Sequence, residues 1–258
     1  MIRTLFIIAG GALVLCLACL GGAAALGGRD LAANDWTWVV GERQGDNENL
    51  HFERGQASPN VTRTVAWTGG QALTIDVPAD VTYVQGDKPG VVISGPKTAV
   101  DRVRLVDGRL TLDDDDAPER GYIRVGHGNI RIWSETELLK ITVTAPSVNS
   151  FHVEGSGDLR VEGYNQPTLG LLLDGSGDVE VAGRAGKLEL RSNASGDADL
   201  ESLDVNDANI DTTGSGEVRV GPTGAVEVAL AGSGDVHLTR RAASVHQDVT
   251  GSGELIGG

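Results

Sequence analysis

Apolar and polar residues alternate through the second half of this chain, and the alternation restarts at a nearly fixed interval. Leu159 and Val161, Val179 and Val181, Ala198 and Leu200, Val218 and Val220, and Val236 and Leu238 take every second position, with Arg160, Glu180, Asp199, Arg219 and His237 between them. A second set runs ahead of each restart: Leu169, Leu171 and Leu173, then Leu188 and Leu190, then Val226, Val228 and Leu230. Successive side chains of a strand point to opposite faces, so a period of two predicts short strands with one buried face. No 3.6-residue stripe competes with it.

Each restart carries a tetrapeptide. It reads Gly155-Ser156-Gly157-Asp158, Gly175-Ser176-Gly177-Asp178, Ala194-Ser195-Gly196-Asp197, Gly214-Ser215-Gly216-Glu217, Gly232-Ser233-Gly234-Asp235 and Gly251-Ser252-Gly253-Glu254, with first positions 20, 19, 20, 18 and 19 residues apart. A fixed period of this size marks stacked units that touch only their neighbours. The fold class is therefore all-β: a parallel β-helix or β-solenoid with repeats of 18–20 residues, regular from residue 149, each repeat holding two short strands joined by Gly-rich corners. Stacking at about 4.8 Å per coil makes six coils a rod of roughly 29 Å. The corner glycines are expected to supply positive φ angles, which only Gly adopts without steric cost. The outward ladder Arg160, Glu180, Asp199, Arg219 sets opposite charges at two of its three steps, which suits neighbouring strands.

Ahead of the repeats the organisation changes. Between residues 61 and 145 short alternating runs return, at Leu73 to Val77, Val81 to Val84, Val91 to Ile93, Leu110 to Leu112, Ile123 to Val125, Ile130 to Ile132 and Ile141 to Val143, separated by Gly, Pro and Asp. These predict a β-rich N-terminal section that closes one end of the solenoid core, so that 61–258 forms one unit. Thr98 to Leu105 reads as a short helix capped by Thr98. Residues 26–60, with the isolated aromatics Trp36, Trp38 and Phe52, read as an irregular arm or linker. At the other end only Leu255-Ile256-Gly257-Gly258 follows the last tetrapeptide, which predicts an open strand edge and end-to-end self-association.

Residues 1–25 hold one charge, Arg3, then an apolar stretch from Leu5 to Leu20 and the small run Gly21-Gly22-Ala23-Ala24-Ala25. This is the layout of a secretory signal peptide cleaved after Ala25. An uncleaved membrane anchor is the alternative, because Leu5 to Gly28 is 24 residues without a charge and a span needs about 20. Both cysteines, Cys16 and Cys19, lie in this segment, so a cleaved chain has no thiol, and Cys19 is a further candidate for lipidation. Membrane contact is expected only through this segment. The location is expected to be periplasmic, outer-membrane-associated or extracellular. The formal net charge of −15 becomes −16 once Arg3 is removed. Such a surface repels nucleic acid and suits divalent cations or basic partners.

The six acidic turns, with Ala79-Asp80-Val81-Thr82-Tyr83-Val84-Gln85-Gly86-Asp87 and Ile141-Thr142-Val143-Thr144-Ala145-Pro146, resemble the GIN domain family over roughly Leu73 to Gly258. These are exported bacterial β-solenoids described as heads of autotransporter adhesins. The resemblance implies a β-helical fold, an envelope or surface location and no catalytic residue. An autotransporter would carry a membrane barrel of alternating strands after its passenger. No such pattern follows Gly258, so self-translocation is not expected.

Candidate chemistry is sparse. The acid column Asp158, Asp178, Asp197, Glu217, Asp235, Glu254 is the one candidate metal site, a ladder for Ca²⁺, although calcium sites need six or more oxygens in one place. The competing explanation is turn chemistry, Asp bonding to nearby backbone amides, which fits Asp better than Glu217 and Glu254. The run Asp113-Asp114-Asp115-Asp116 reads as a solvated loop. His51, His127, His152, His237 and His246 show no metal-ligand spacing, with His237 on the outward face of a strand and the rest as surface or loop residues. A serine repeated at every corner is not a single activated nucleophile, so no catalytic residue and no cofactor is assigned. Two readings remain: a non-enzymatic envelope protein contacting glycan or protein along its sides, and a carbohydrate-active enzyme using acids between Leu110 and Trp133.

Overall fold

In the computed structural model the described residues are 36–42, 50–54, 58–113, 121–126 and 129–257. Their strands in chain order are β1 (Trp36–Glu42), β2 (Leu50–Arg54), β3 (Asn60–Val65), β4 (Ala72–Asp76), β5 (Asp80–Gln85), β6 (Gly90–Pro96), β7 (Val103–Val106), β8 (Arg109–Leu112), β9 (Gly121–Gly126) and β10 (Asn129–Ser134). The series continues with β11 (Lys140–Ala145), β12 (Ser150–Val153), β13 (Leu159–Leu173), β14 (Val179–Ser192), β15 (Ala198–Thr212), β16 (Val218–Pro222), β17 (Ala225–Leu230), β18 (Val236–Leu238), β19 (Ser244–Val249) and β20 (Leu255–Gly257). The chain divides into two compact units, Met1–Ala57 with Pro118–Ser134, and Ser58–Ala117 with Glu135–Gly258.

The first unit contains an antiparallel sheet ordered β10, β9, β1, β2. Trp38 lies opposite Ile123 and Val40 opposite Phe52. The segment expected to be an irregular arm thus contributes two strands; Ile123 to Val125 pairs with its β1, and Ile130 to Ile132 pairs in turn with Ile123 to Val125. Strand β1 finds its partner more than eighty positions along the chain, a pairing that no local period reports.

The second unit is a parallel β-solenoid of about five turns. Strands β13, β14 and β15 pair in parallel, Leu159 to Val179 and Leu188 to Ala208, and the stack goes on through β16 with β18 and β20, and β17 with β19. In-register stacking puts equivalent positions above one another, so the inward residues form one continuous core. Leu159, Val161, Val179, Val181, Leu200, Val218, Val220 and Val236 are buried in it together with Leu73, Ile75, Val100, Leu110 and Leu139 from the N-terminal section. Near the first coils the rings of Tyr83, Phe151 and Tyr164 meet edge to face, with centroids 5.1 and 6.2 Å apart. The Tyr83 hydroxyl donates to the Ala145 carbonyl at 2.7 Å, satisfying the polar end of a buried ring.

Strands β4 and β5 form an additional coil that the tetrapeptide count misses. Ser150 pairs with Ala72, and Leu159 with Val81, so the coil lies directly against β12 and β13 although 64 residues separate Gln85 from Ser150. Its corner is Val77-Pro78-Ala79-Asp80 instead of Gly-Ser-Gly-acid. The intervening chain includes β6 and β11, where Lys140 pairs with Asp80 in parallel and with Ser94 in antiparallel fashion. The helix spans Lys97–Arg102 and is shorter than expected. Thr98 is not its cap: its hydroxyl bonds Glu135, and Val103 starts strand β7.

The corner glycines differ from expectation in their reason. Positive φ occurs at Gly95, Gly108, Gly163, Gly183 and Gly257, and at none of the Gly-Ser-Gly corners. What excludes a side chain there is the preceding coil. A Cβ on Gly177 would overlap the Gly157 carbonyl oxygen, one on Gly196 that of Gly177, one on Gly216 that of Gly196, and one on Gly234 that of Gly216. The third corner position is glycine and buried in all six repeats, while the serine before it is exposed in all six. Two of the positive-φ glycines, Gly163 and Gly183, serve the bends inside β13 and β14, where the pairing register slips. The first three regular repeats are therefore bent strands of 14 or 15 residues, whereas the later ones keep two separate short strands, β16 with β17 and β18 with β19.

Replacing Gly216 by Ala is expected to cost roughly 1–3 kcal/mol, the range for overfilling a packed site. Gly170→Ala, whose Cβ has its nearest neighbour at 3.6 Å, is expected to be neutral or stabilising by up to about 1 kcal/mol, because Gly in a strand forfeits chain entropy. Urea melts of the two variants decide this; equal melting of both would remove the steric explanation of the corners.

Candidate binding faces of the solenoid

Because coils stack in register, each outward position becomes a row. Two rows border a groove of about 600 Å³ that crosses β11, β5, β13, β14, β15 and β16. One is Lys140, Asp80, Asp158, Asp178 and Asp197; the other is Thr142, Thr82, Arg160, Glu180, Asp199 and Arg219. Among the described residues the groove lining holds six carboxylates against three basic groups and no aromatic ring. A second groove of about 510 Å³ lies over β12 to β15 and β17, among Ser150, Gly170, Glu189, Arg191, Asn209, Asp211 and Glu227.

The acid column is where the sequence placed it, and its Asp carboxylates have a defined task. Asp158 Oδ1 accepts the Asp178 backbone N–H at 2.9 Å. Asp178 Oδ1 accepts that of Asp197, Asp197 Oδ1 that of Glu217, and Asp235 Oδ1 that of Glu254, each at 2.8 Å. The amide lies in the following coil, not in the same turn, so this is a ladder between coils. Glu217 has a longer side chain and turns instead to Arg219 at 2.5 Å and His237 at 2.9 Å. Among the described residues no three of His, Cys, Asp or Glu gather as a metal-holding group.

In the outward ladder Arg160 pairs with Glu180 at 2.5 Å. Arg219 departs from its register partner Asp199 to meet Glu217, and Asp199 Oδ1 accepts the Glu201 N–H at 3.0 Å. His237 lies on the outward face as read from the alternation.

His152 is more than an ordinary surface residue. Its Nδ1 is 3.1 Å from Glu154 Oε1 and its Nε2 is 2.8 Å from Asp174 Oδ2. Arg109 reaches Glu154 Oε1 at 3.0 Å and Asp76 Oδ2 at 2.9 Å. Asn193 donates to Asp174 Oδ1 at 2.8 Å, and the Thr213 hydroxyl to Asn193 Oδ1 at 2.5 Å. These seven side chains form one polar seam just before the Gly-Ser-Gly corners. The Arg109 guanidinium holds the Glu154 carboxyl below the usual carboxylate range. The Asn193 amide and then His152 do the same for Asp174. The signal was present in the sequence: the residue before the tetrapeptide is polar at Glu154, Asp174, Asn193, Thr213 and Thr250.

Asp113 is not merely solvated, since Arg104 pairs with it at 2.5 Å; of the acids between Leu110 and Trp133 on which the enzymatic reading rests, the other four, Asp114, Asp115, Asp116 and Glu119, lie outside the described residues, as does His127. The N-terminal segment with Cys16 and Cys19 also lies outside them. Among the described residues no helix is long and apolar enough to cross a membrane.

A family model described as "Putative auto-transporter adhesin, head GIN domain" matches residues 71–242. Among solved structures, a putative adhesin from Bacteroides fragilis aligns with a TM-score of 0.58 at 20% identity, covering 76% of this chain and 96% of that one. A putative adhesin from Parabacteroides merdae aligns with a TM-score of 0.42 at 15% identity over 77% of this chain and 96% of that one. The first of these likenesses shows the fold. No protein of curated function matches the sequence.

Two outcomes are expected. Asp197→Ala should cost about 1 kcal/mol, the net worth of one hydrogen bond, and Asp197→Asn, which keeps Oδ1, should restore most of it; stabilisation of the parent by millimolar Ca²⁺ but not of Asp197→Asn would instead assign the row to a cation. For the seam, a depressed carboxyl pKa adds stability above the unfolded-state value that disappears as pH falls through the folded value. Urea midpoints should therefore drop below about pH 4.5, and the slope should flatten in Glu154→Gln/Asp174→Asn; an unaltered acid limb would contradict it.

Proposed function

The chain belongs to the family described as putative auto-transporter adhesin, head GIN domain, and from that premise we propose a non-enzymatic, exported binding protein of the cell envelope whose groove face docks a basic, extended stretch of polypeptide. The observation that carries this reading is the acidic excess of the first groove, fixed in rows by backbone stacking. Rows repeated at the strand spacing offer many weak contacts to a linear ligand, and their sum gives avidity without a deep pocket. An acidic groove raises the local concentration of cationic partners. Among the described residues the lining supplies no aromatic platform, which favours polypeptide over glycan, since aromatic faces are the usual stacking surface for flat apolar ligand faces.

A non-enzymatic role is supported by what the groove carboxylates already do. Asp158, Asp178 and Asp197 accept amides of the next coil, and Glu180 pairs with Arg160. Export is supported by the charged start, apolar middle and small-residue end of residues 1–25.

The test uses a fluorescent lysine- and serine-rich peptide in an anisotropy titration. Binding should weaken as salt rises from about 0.05 to 0.2 M, and Glu180→Lys/Asp199→Lys should lower affinity at least about tenfold. Equal binding by that variant, or equal binding of an acidic peptide, would overturn the proposal. N-terminal sequencing of the mature protein from fractionated cells checks export; an intact Met1 in the cytoplasm would contradict it.

A further inference from the structure

The coil bearing β19 leaves the stacking rule incomplete. Among the described residues β19 pairs with β17 alone. Its Val245 and Val249 continue the inward columns of Val226 and Leu230. Those two are 3% and 1% exposed, whereas Val245 and Val249 are 42% and 40% exposed. Apolar side chains thus occupy core positions while remaining well exposed, with no further strand of the described residues paired beyond them, next to a line of backbone groups on the edge away from β17.

The direction of those groups is fixed. The Thr250 N–H donates to the Leu230 carbonyl at 2.9 Å and the Ser244 N–H to the Gly224 carbonyl at 3.4 Å, toward the preceding coil. Amides alternate sides along a strand, so those of Val245, Gln247 and Val249 face the free edge.

We propose that this edge is a self-association surface on which β19 of a second copy pairs in antiparallel fashion, centred on Gln247, to give a two-fold symmetric dimer. In that register Val245 lies opposite the other copy's Val249, His246 opposite Asp248, and Gln247 opposite itself. Directly opposed residues of an antiparallel pair share a face, so the valines join on the inward side and the His–Asp pairs on the outward side, each twice by symmetry. Shifting the centre by one residue either way opposes His246 to His246 or Asp248 to Asp248 and sets valine against glutamine. The sequence of this strand is therefore complementary to itself in one register. The proposal is independent of the peptide-binding groove, which lies on other strands. A single strand pair is a small interface, so a weak dimer is expected.

Sedimentation velocity of the full chain over a concentration series, from micromolar upward, tests it. The parent should shift toward dimer as concentration rises, and more so at moderate salt, which screens the repulsion between two strongly acidic copies. Gln247→Pro removes an edge-facing amide without touching the β17 ladder and should stay monomeric with an unchanged melting temperature. Asp248→Lys, which opposes Lys to His246, should weaken the dimer at least tenfold, and His246→Glu/Asp248→Lys should recover it by exchanging the charges. A parent that remains monomeric to millimolar concentration, or Gln247→Pro and Asp248→Lys variants that sediment like the parent, would overturn the proposal. A dimer that is lost in Asp248→Lys and not regained in the double variant would overturn the register.

Discussion

A backbone carbonyl oxygen of one coil occupies the space that a side chain of the next corner would need. That contact holds at Gly177, Gly196, Gly216, Gly234 and Gly253, and the rest of the solenoid depends on it. With no Cβ in the way, consecutive corners close on one another, and the amides that follow bond straight across, as Leu159 does to Asp178, Val179 to Asp197 and Ala198 to Glu217. Register is thereby set at the corner and carried along the strands, so one-residue slips that would turn Val and Leu outward are excluded. Rows of identical positions follow directly. The apolar rows make the core, and the polar rows make the faces.

The Asp ladder works on the same joint from the outside. Each carboxylate oxygen that accepts the next coil's amide ties the exposed edge of the corner, while glycine fixes its buried edge. Glutamate at Glu217 releases that bond and redirects the carboxylate to Arg219 and His237. Chemistry at the surface is thus mostly coil-to-coil chemistry, and the groove charges remaining beside it are the material available for a partner. The seam from Asp76 to Thr213 extends the same logic along the other side of the corners, linking β8, β4 and β12 to the first regular coils.

Much of this was legible from residue order. Period-two alternation located β4 to β6, β8 to β11 and the repeat strands, and the tetrapeptide spacing identified the stack, because in a solenoid the long-range neighbour is one period away and therefore visible. What broke the period was hidden. The coil made by β4 and β5 carries Val77-Pro78-Ala79 at its corner and rejoins the stack only after 64 residues, so no spacing connects it to Ser150. Strand β1 likewise pairs with β9, more than eighty positions away. Thr98 looked like a helix cap by composition, yet Glu135 from a distant segment engages its hydroxyl. The corner glycines were correctly singled out but for the wrong cause, since sequence shows that a side chain is missing and not whether φ or a neighbouring carbonyl forbids it.

The most direct test of in-register stacking is cysteine cross-linking between exposed corner serines. Stacked coils put equivalent Cα atoms about 4.8 Å apart, inside the span a disulfide bridges. Under mild oxidation, Ser176→Cys/Ser195→Cys on adjacent coils should form an intramolecular disulfide mapped by mass spectrometry, and Ser156→Cys/Ser195→Cys, two coils apart, should not. Linkage of the distant pair, or none in the adjacent pair, would contradict the stacked corners on which the account rests.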